Sequence, residues 1–212
     1  MLNLLQRKRT IKGFGVHSPF AFSFIRKVIT EKSPYYAYFD LKAHLSALGI
    51  ATKEISEFNR LSFRIVNFFG AKNVLEIGSG NGVNTLFVTA PSEEISCCCI
   101  ETNAEKLAIA HKLLEIRNNR IQFPDVIPQR TYDVVFADAV FGETNPEWTM
   151  EKLFEHSCNE TCWVVRNIHK NKAAKAFWKS IKQDSRVRVT FDLQNCGIVI
   201  LNSSYHKLNY IL

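Results

Sequence analysis

The chain has no apolar run of about 18 residues, so a membrane-spanning helix is not expected. Behind Arg7, Lys8 and Arg9 no apolar core follows, so no secretory signal is expected either. No internal repeat or low-complexity segment stands out. Six cysteines are present, but Cys158 and Cys162, which could share a helix face, have no matching Cys/His pair to make a zinc site. Cys97, Cys98 and Cys99 are adjacent in an apolar, strand-like stretch. Alternate faces of a buried strand would take them as packing rather than as a disulfide framework, which suggests a reducing cytoplasm. Acidic residues are scarce in two places. Residues 1–32 set Arg7, Lys8, Arg9, Lys12, Arg26, Lys27 and Lys32 against Glu31 alone, and residues 166–188 set eight Lys or Arg against Asp184 alone. Such asymmetry fits a polyanion-binding surface, or simply two solvated faces.

What is present centres on Asn73-Val-Leu-Glu-Ile-Gly-Ser-Gly-Asn-Gly-Val-Asn-Thr85. Val74, Leu75 and Ile77 read as a buried strand. Gly78, Gly80 and Gly82 follow at alternate positions, and Val83, Leu86, Phe87 and Ala90 then share a helical face that Pro91 ends. Strand, glycine loop and helix in this order form a place where a ligand can approach bare backbone. The dinucleotide fingerprint G-x-G-x-x-G fits poorly, because Val83 stands at its last position. The other reading of the loop is a tight turn with no ligand.

Along the chain, residues 1–12 form a basic lead-in. Ser18-Pro19 opens an amphipathic helix over 19–31. Tyr35, Tyr36, Tyr38 and Phe39 fall in a loop, and Asp40 caps a short helix ending at Gly49. A longer helix covers about 52–69. Strands are expected at 73–78, 95–100, 121–123, 132–138 and 161–168, with helices at 83–90, 103–117, 146–156 and 171–183. The 103–117 helix would bury Leu107, Ala110, His111 and Leu114. The last two strands, 186–193 and 197–202, are separated by too few residues for a crossover helix, so they must be antiparallel. The chain is thus α/β, with a helical cover segment over 1–70 and one compact core over 71–212. Alternation of strand and helix makes a mostly parallel sheet with helices on both faces.

The pattern Glu76-Ile-Gly-Ser-Gly-Asn-Gly82 resembles motif I of the class I S-adenosylmethionine-dependent methyltransferases, and the closing hairpin looks like their reversed edge strand. Over about residues 58–202 the chain resembles the catechol-type O-methyltransferases. The resemblance implies a Rossmann-like, mostly parallel seven-stranded sheet, S-adenosyl-L-methionine as cofactor, and methyl transfer to a small-molecule acceptor, most often at oxygen. It implies cofactor contacts from Glu76, Gly78, Ser79, Gly80, Gly82 and Asn84 in the loop region. Glu101 stands 23 residues after Gly78 at a strand end, and its acceptor-only carboxylate can hold two ribose hydroxyls. It could also be an exposed strand-end charge. Thr102 and Asn103 could touch the adenine side or cap the next helix, and Asp125 is a weaker adenine contact.

Asp138 ends a buried strand and could meet the cofactor's ammonium, place the acceptor or bind a metal. Many members of the family hold a divalent cation with such an Asp and an Asp-Asn pair after the next strand. Here that pair reads Arg166-Asn167. A guanidinium opposes Mg²⁺, which wants hard anionic oxygens, so no metal is expected. Without one, a hydroxyl acceptor needs a base. His169 and His17 are the candidates, with structural or capping roles as the other reading. Tyr35, Tyr36 and Phe141 could line an acceptor pocket or pack as aromatics. Lys172, Lys175, Lys179 and Lys182 form a stripe that gives solubility, or favours an anionic acceptor or RNA. The segment Asp138-Ala-Val-Phe141 is not the Asn-Pro-Pro-aromatic tetrapeptide of many amino-group methyltransferases, which favours oxygen. The rivals are a nucleic-acid methyltransferase and a cofactor-binding protein without catalysis. A second copy of the chain is a further partner to consider, a membrane is not, and the cytoplasm is the expected location.

Overall fold

The computed structural model describes residues 15–50, 55–117, 119–145 and 148–212. The basic lead-in 1–12, the start of the helix expected from residue 52 and the start of that expected from residue 146 lie outside them. The chain forms two compact units, residues 31–128 and residues 1–30 with 129–212.

In the described part of 1–30, α1 runs Pro19–Phe24 and continues as a π turn over Ile25–Ile29. The Ser18 hydroxyl accepts the Ala21 amide at 3.2 Å, and Pro19 takes the first helical position, as the sequence predicts. The helix closes at Thr30, whose amide and hydroxyl both donate to the Ile25 carbonyl.

In the unit 31–128, α2 (Tyr36–Ala47) begins a turn earlier than the expected Asp40 cap. Pro34 and the extended Tyr35 set its start, so the aromatic segment expected as loop is its first turn. Tertiary packing favours that choice: Tyr38 meets Phe63 edge-on at 5.1 Å. The next helix, α3 (Glu57–Phe69), starts from a reciprocal capping box between Ser56 and Asn59 and ends at left-handed Gly70. Then come β1 (Asn73–Ile77), α4 (Val83–Val88), β2 (Ser96–Ile100), α5 (Ala104–Leu114) and the two-residue β3 (Ile121–Gln122). β2 lies parallel to both β1 and β3. His111, expected on the buried face of α5, is exposed and rests on Phe123 at 4.6 Å; α5 buries Ala110, Leu113 and Leu114 instead. The carbonyls at the end of α4 are taken by guanidinium groups: Arg117 donates to Leu86 at 2.9 Å and Arg120 to Thr89 at 2.9 Å.

In 129–212, β4 (Tyr132–Asp138) is followed by the short helices α6 (Phe141–Thr144) and α7 (Met150–Glu155). Next are β5 (Ser157–Arg166), α8 (Lys172–Gln183), β6 (Val189–Asp192), β7 (Cys196–Ile200) and β8 (Leu208–Ile211). Cys158 and Cys162 therefore lie on a strand rather than a helix face. β4 and β5 are parallel, β7 is antiparallel to β5 and β6, and β8 returns parallel to β6. Among the described residues the sheet has eight strands, not seven. The extra one, β8, is a half-exposed edge strand without hydrophobic alternation. α8 packs on β7 through Gly197, where a Cβ would stand 2.4 Å from the Trp178 ring.

Candidate active site

The glycine loop lies between β1 and α4, and the end of β2 holds it. The Gly78 and Ser79 amides donate to the Ile100 carbonyl at 2.8 and 3.2 Å. The Gly80 amide donates to Glu101 Oε2 at 2.7 Å, and Glu101 Oε1 accepts the Asn103 amide at 2.8 Å. Three successive loop amides are thus tied to residues 100 and 101. Gly78, Gly80 and Gly82 all have φ between 62° and 81°, in the left-handed region. Their surroundings differ. A Cβ on Gly82 would stand 2.9 Å from Leu114 Cδ1, so this glycine lets α5 approach α4. A Cβ on Gly80 would meet nothing within 4 Å, so this bend faces open space.

The loop residues divide by environment. Glu76 is 3% exposed, and its carboxylate accepts Asn84 Nδ2 at 2.8 Å and Thr85 Oγ1 at 2.6 Å. Asn59 of α3 donates to Asn84 Oδ1 at 3.2 Å, which carries this buried chain to the α3 cap. Asn59 and Thr85 are members the sequence reading missed. The signal was the alignment of polar Asn84 and Thr85 one helical turn behind the glycines. Ser79 Oγ is buried and has no hydrogen-bond partner among the described residues. An orphaned hydroxyl within the loop suits a polar ligand group. Thr102 and Asp125 are exposed. Asn103 caps α5, accepting the Lys106 amide at 2.9 Å. The paired strand-two cysteines lie on one face, Cys97 Sγ 3.6 Å from Cys99 Sγ. They lie with Glu76 within 4.8 Å of one another. The hydrogen bond from Cys99 and burial push the Cys97 thiol well up, so Cys97 keeps its proton and is a poor metal ligand.

In the other unit, Asp138 stands at the end of β4 with a side chain 14% exposed. Asn167 Nδ2 donates to both of its oxygens, at 3.0 and 2.8 Å, and Arg166 Nη2 lies 3.4 Å from Oδ2. The Val140 amide donates to Oδ1 at 3.1 Å. Asn167 reaches this position with φ 59°, a conformation asparagine tolerates better than most residues. The donor set therefore has one carboxylate, one amide and a cation, which does not fit Mg²⁺.

His169 Nε2 lies 2.8 Å from Asp192 Oδ2, which also accepts the Trp178 indole at 3.0 Å. Asp192 Oδ1 accepts the Gln194 amide at 3.1 Å. Burial works to raise the Asp192 carboxyl, but the Gln194, His169 and Trp178 hydrogen bonds outweigh it and hold it below its ordinary range. Asp192 was not foreseen. Its sign in the sequence is the one charge, closing the otherwise uncharged strand Val189–Asp192. His17 is exposed. Tyr35 packs on Phe63 at 5.0 Å, Tyr36 is 90% exposed, and Phe141 meets Trp148 at 6.1 Å.

No family model matches the sequence, and no curated protein matches it. Solved structures do. An O-methyltransferase from Bacillus cereus in complex with SAH is 18% identical with TM-score 0.59, covering 84% of this chain and 94% of its own. The SAH-bound Podospora anserina methyltransferase PaMTH1 is 11% identical with TM-score 0.60, covering 83% and 92%. The O-methyltransferase TomG from Streptomyces achromogenes, involved in tomaymycin synthesis and in complex with SAM, is 13% identical with TM-score 0.58, covering 84% of this chain and 95% of its own. The chain has the class I methyltransferase fold. At these identities the likeness extends to the fold: a Rossmann-like, mostly parallel sheet closed by an antiparallel hairpin.

Proposed function

We propose that the chain binds S-adenosylmethionine at the 78–82 loop and moves its methyl group to a hydroxyl of a small-molecule acceptor without a divalent metal. The observation that carries the reading is the Glu101 carboxylate bonded to the Gly80 amide beside open backbone. Two amides leave that carboxylate with lone pairs for two ribose hydroxyls. Ser79 Oγ supplies the unpaired polar atom such a ligand would satisfy. Solved structures of the same fold hold SAH or SAM. When bound, the cofactor supplies an electrophilic methyl group.

The residues of the chain then have separate tasks. Glu76, with Asn84 and Thr85, holds the loop in shape from behind, so these are positioning residues. Gly78 to Gly82 supply close approach, and Thr102 and Asp125 are exposed candidates for the adenine side. Asp138, held by Asn167 and Arg166, places the acceptor or the cofactor's ammonium. With Asp192 ionised, the His169 proton sits on Nε2 and is donated to the carboxylate, so Nδ1 presents a lone pair that can accept a hydroxyl proton. His17 is the second candidate for that role.

Titration calorimetry of the purified chain with S-adenosylhomocysteine tests the shared premise. Binding is expected, with Glu101→Ala weakening it by about tenfold or more, the loss of charge-assisted hydrogen bonds. A signal with NADH and none with either sulfur nucleoside would overturn the proposal. Cofactor binding with no turnover over a broad panel of hydroxylated acceptors would leave a binding protein without catalysis.

A further inference from the structure

The unit 31–128 contains a cavity that no part of the glycine loop lines. Its volume is about 730 Å³, within the range of small-molecule sites. α2 and α3 form its walls, with Phe87 of α4 at one side. Two kinds of side chain meet there. Tyr38, Phe39 and Phe87 provide aromatic surface, and Lys32, Lys42, Arg60 and Arg64 provide four cations.

The wall also contains Glu31 and Glu57, and both are already engaged. Glu31 Oε1 accepts the Lys32 and Ser33 amides at 2.7 and 2.6 Å, and the Ser33 side-chain and backbone hydrogen bonds, helped by the Lys32 amide and the Arg64 charge, hold its carboxyl below the usual range. Glu57 pairs with Arg60 one turn along α3. Four cations against two carboxylates leave the wall net positive. Arg64 is the unusual member: it is 7% exposed, in the middle of a helix whose neighbours Phe63, Ile65 and Val66 are core. Its hydrogen bond to the Tyr38 hydroxyl, which itself reaches the Arg60 carbonyl at 3.3 Å, orders the floor of the cavity. Burial raises the Tyr38 hydroxyl above its ordinary value despite Arg64, so Tyr38 stays neutral and keeps its proton on the Arg60 carbonyl.

Four cations facing two carboxylates favour one further anionic group in the cavity, and aromatic walls accept a flat ring. We propose that this cavity is a binding site for a small aromatic anion, a single ring carrying a carboxylate or phosphate, with Arg64, Arg60 and Lys42 at the anionic end. The shared requirement is a ring plus an anionic oxygen group; the two head groups are separated by the test. The site is independent of the methyltransferase reading, because none of its residues belongs to the glycine loop.

The test is calorimetry on the full chain without cofactor, using phenyl phosphate, benzoate, phenol and inorganic phosphate as probes. At least one aryl anion is expected to bind in the submillimolar range, with phenol and inorganic phosphate at least tenfold weaker. The tighter of phenyl phosphate and benzoate identifies the head group. Lys42→Gln and Arg60→Gln lie at exposed or half-exposed positions and should fold normally, as circular dichroism will report; each should weaken the aryl anion about fivefold or more. Arg64→Lys should weaken it further. Equal binding of phenol and the anions, no aryl-anion binding below about 10 mM, or affinity unchanged in the folded Lys42 and Arg60 variants would each overturn the proposal.

Discussion

Glu101 at the end of β2 holds the Gly80 amide at 2.7 Å, so the carboxylate suited to a sugar is also the anchor of the bend that would meet it. Gly80 and its neighbour Gly82 do different things. Gly82→Ala would place a methyl 2.9 Å from Leu114 and 3.1 Å from Ala110 Cβ, at a φ of +81°. Strain and overpacking together should cost about 2–4 kcal/mol, read as a lower denaturation midpoint. Gly80→Ala meets no neighbour, so only backbone strain of about 1 kcal/mol is expected. Its methyl would fill the open side of the bend, and S-adenosylhomocysteine affinity should fall at least about tenfold. Equal stability losses in the two variants, or unchanged affinity in Gly80→Ala, would count against this division.

The Arg166 guanidinium lies 3.4 Å from Asp138, where the metal-dependent branch of the resembled family has an acid. Chelators and Mg²⁺ should therefore leave the thermal midpoint and any turnover of the wild type unchanged. Arg166→Asp should cost about 1 kcal/mol, since the pair is part-exposed, through the lost ion pair and new repulsion. Millimolar Mg²⁺ should then restore stability in the variant alone, because two carboxylates and the Asn167 amide would make an oxygen site. Loss of wild-type turnover with a chelator would show the metal-free reading to be wrong.

The loop could be read from the sequence because its chemistry is local: alternate glycines announce positive φ wherever they fall. The Ser18-Pro19 start of α1 was legible for the same reason. What could not be read depends on distant partners. Tyr36 to Phe39 look like loop until Phe63 provides a surface for Tyr38. β8 is specified by its partner β6, not by its own pattern. Asp192 acquires meaning only because residues 23 positions earlier and 14 positions earlier, His169 and Trp178, converge on one oxygen.

That convergence makes Asp192 testable in two ways. Its carboxyl is held low in the folded chain, so the sign follows: the contribution is complete above the unfolded value, near 3.9, and is lost as pH falls through the folded one. Asp192→Asn should cost about 1–2 kcal/mol at neutral pH, since the amide accepts at one oxygen only. The gap between wild type and variant should narrow as pH drops below about 4, followed through Trp178 fluorescence. The second consequence concerns the proposed base. An asparagine amide can donate to His169 Nε2, which moves the ring proton to Nδ1 and removes the lone pair a substrate hydroxyl would need. Turnover should then fall by about a hundredfold, the scale of general-base assistance, while S-adenosylhomocysteine affinity holds. If affinity and turnover fall together, or the stability gap is the same at pH 3 and pH 7, Asp192 is structural and His169 is not the base.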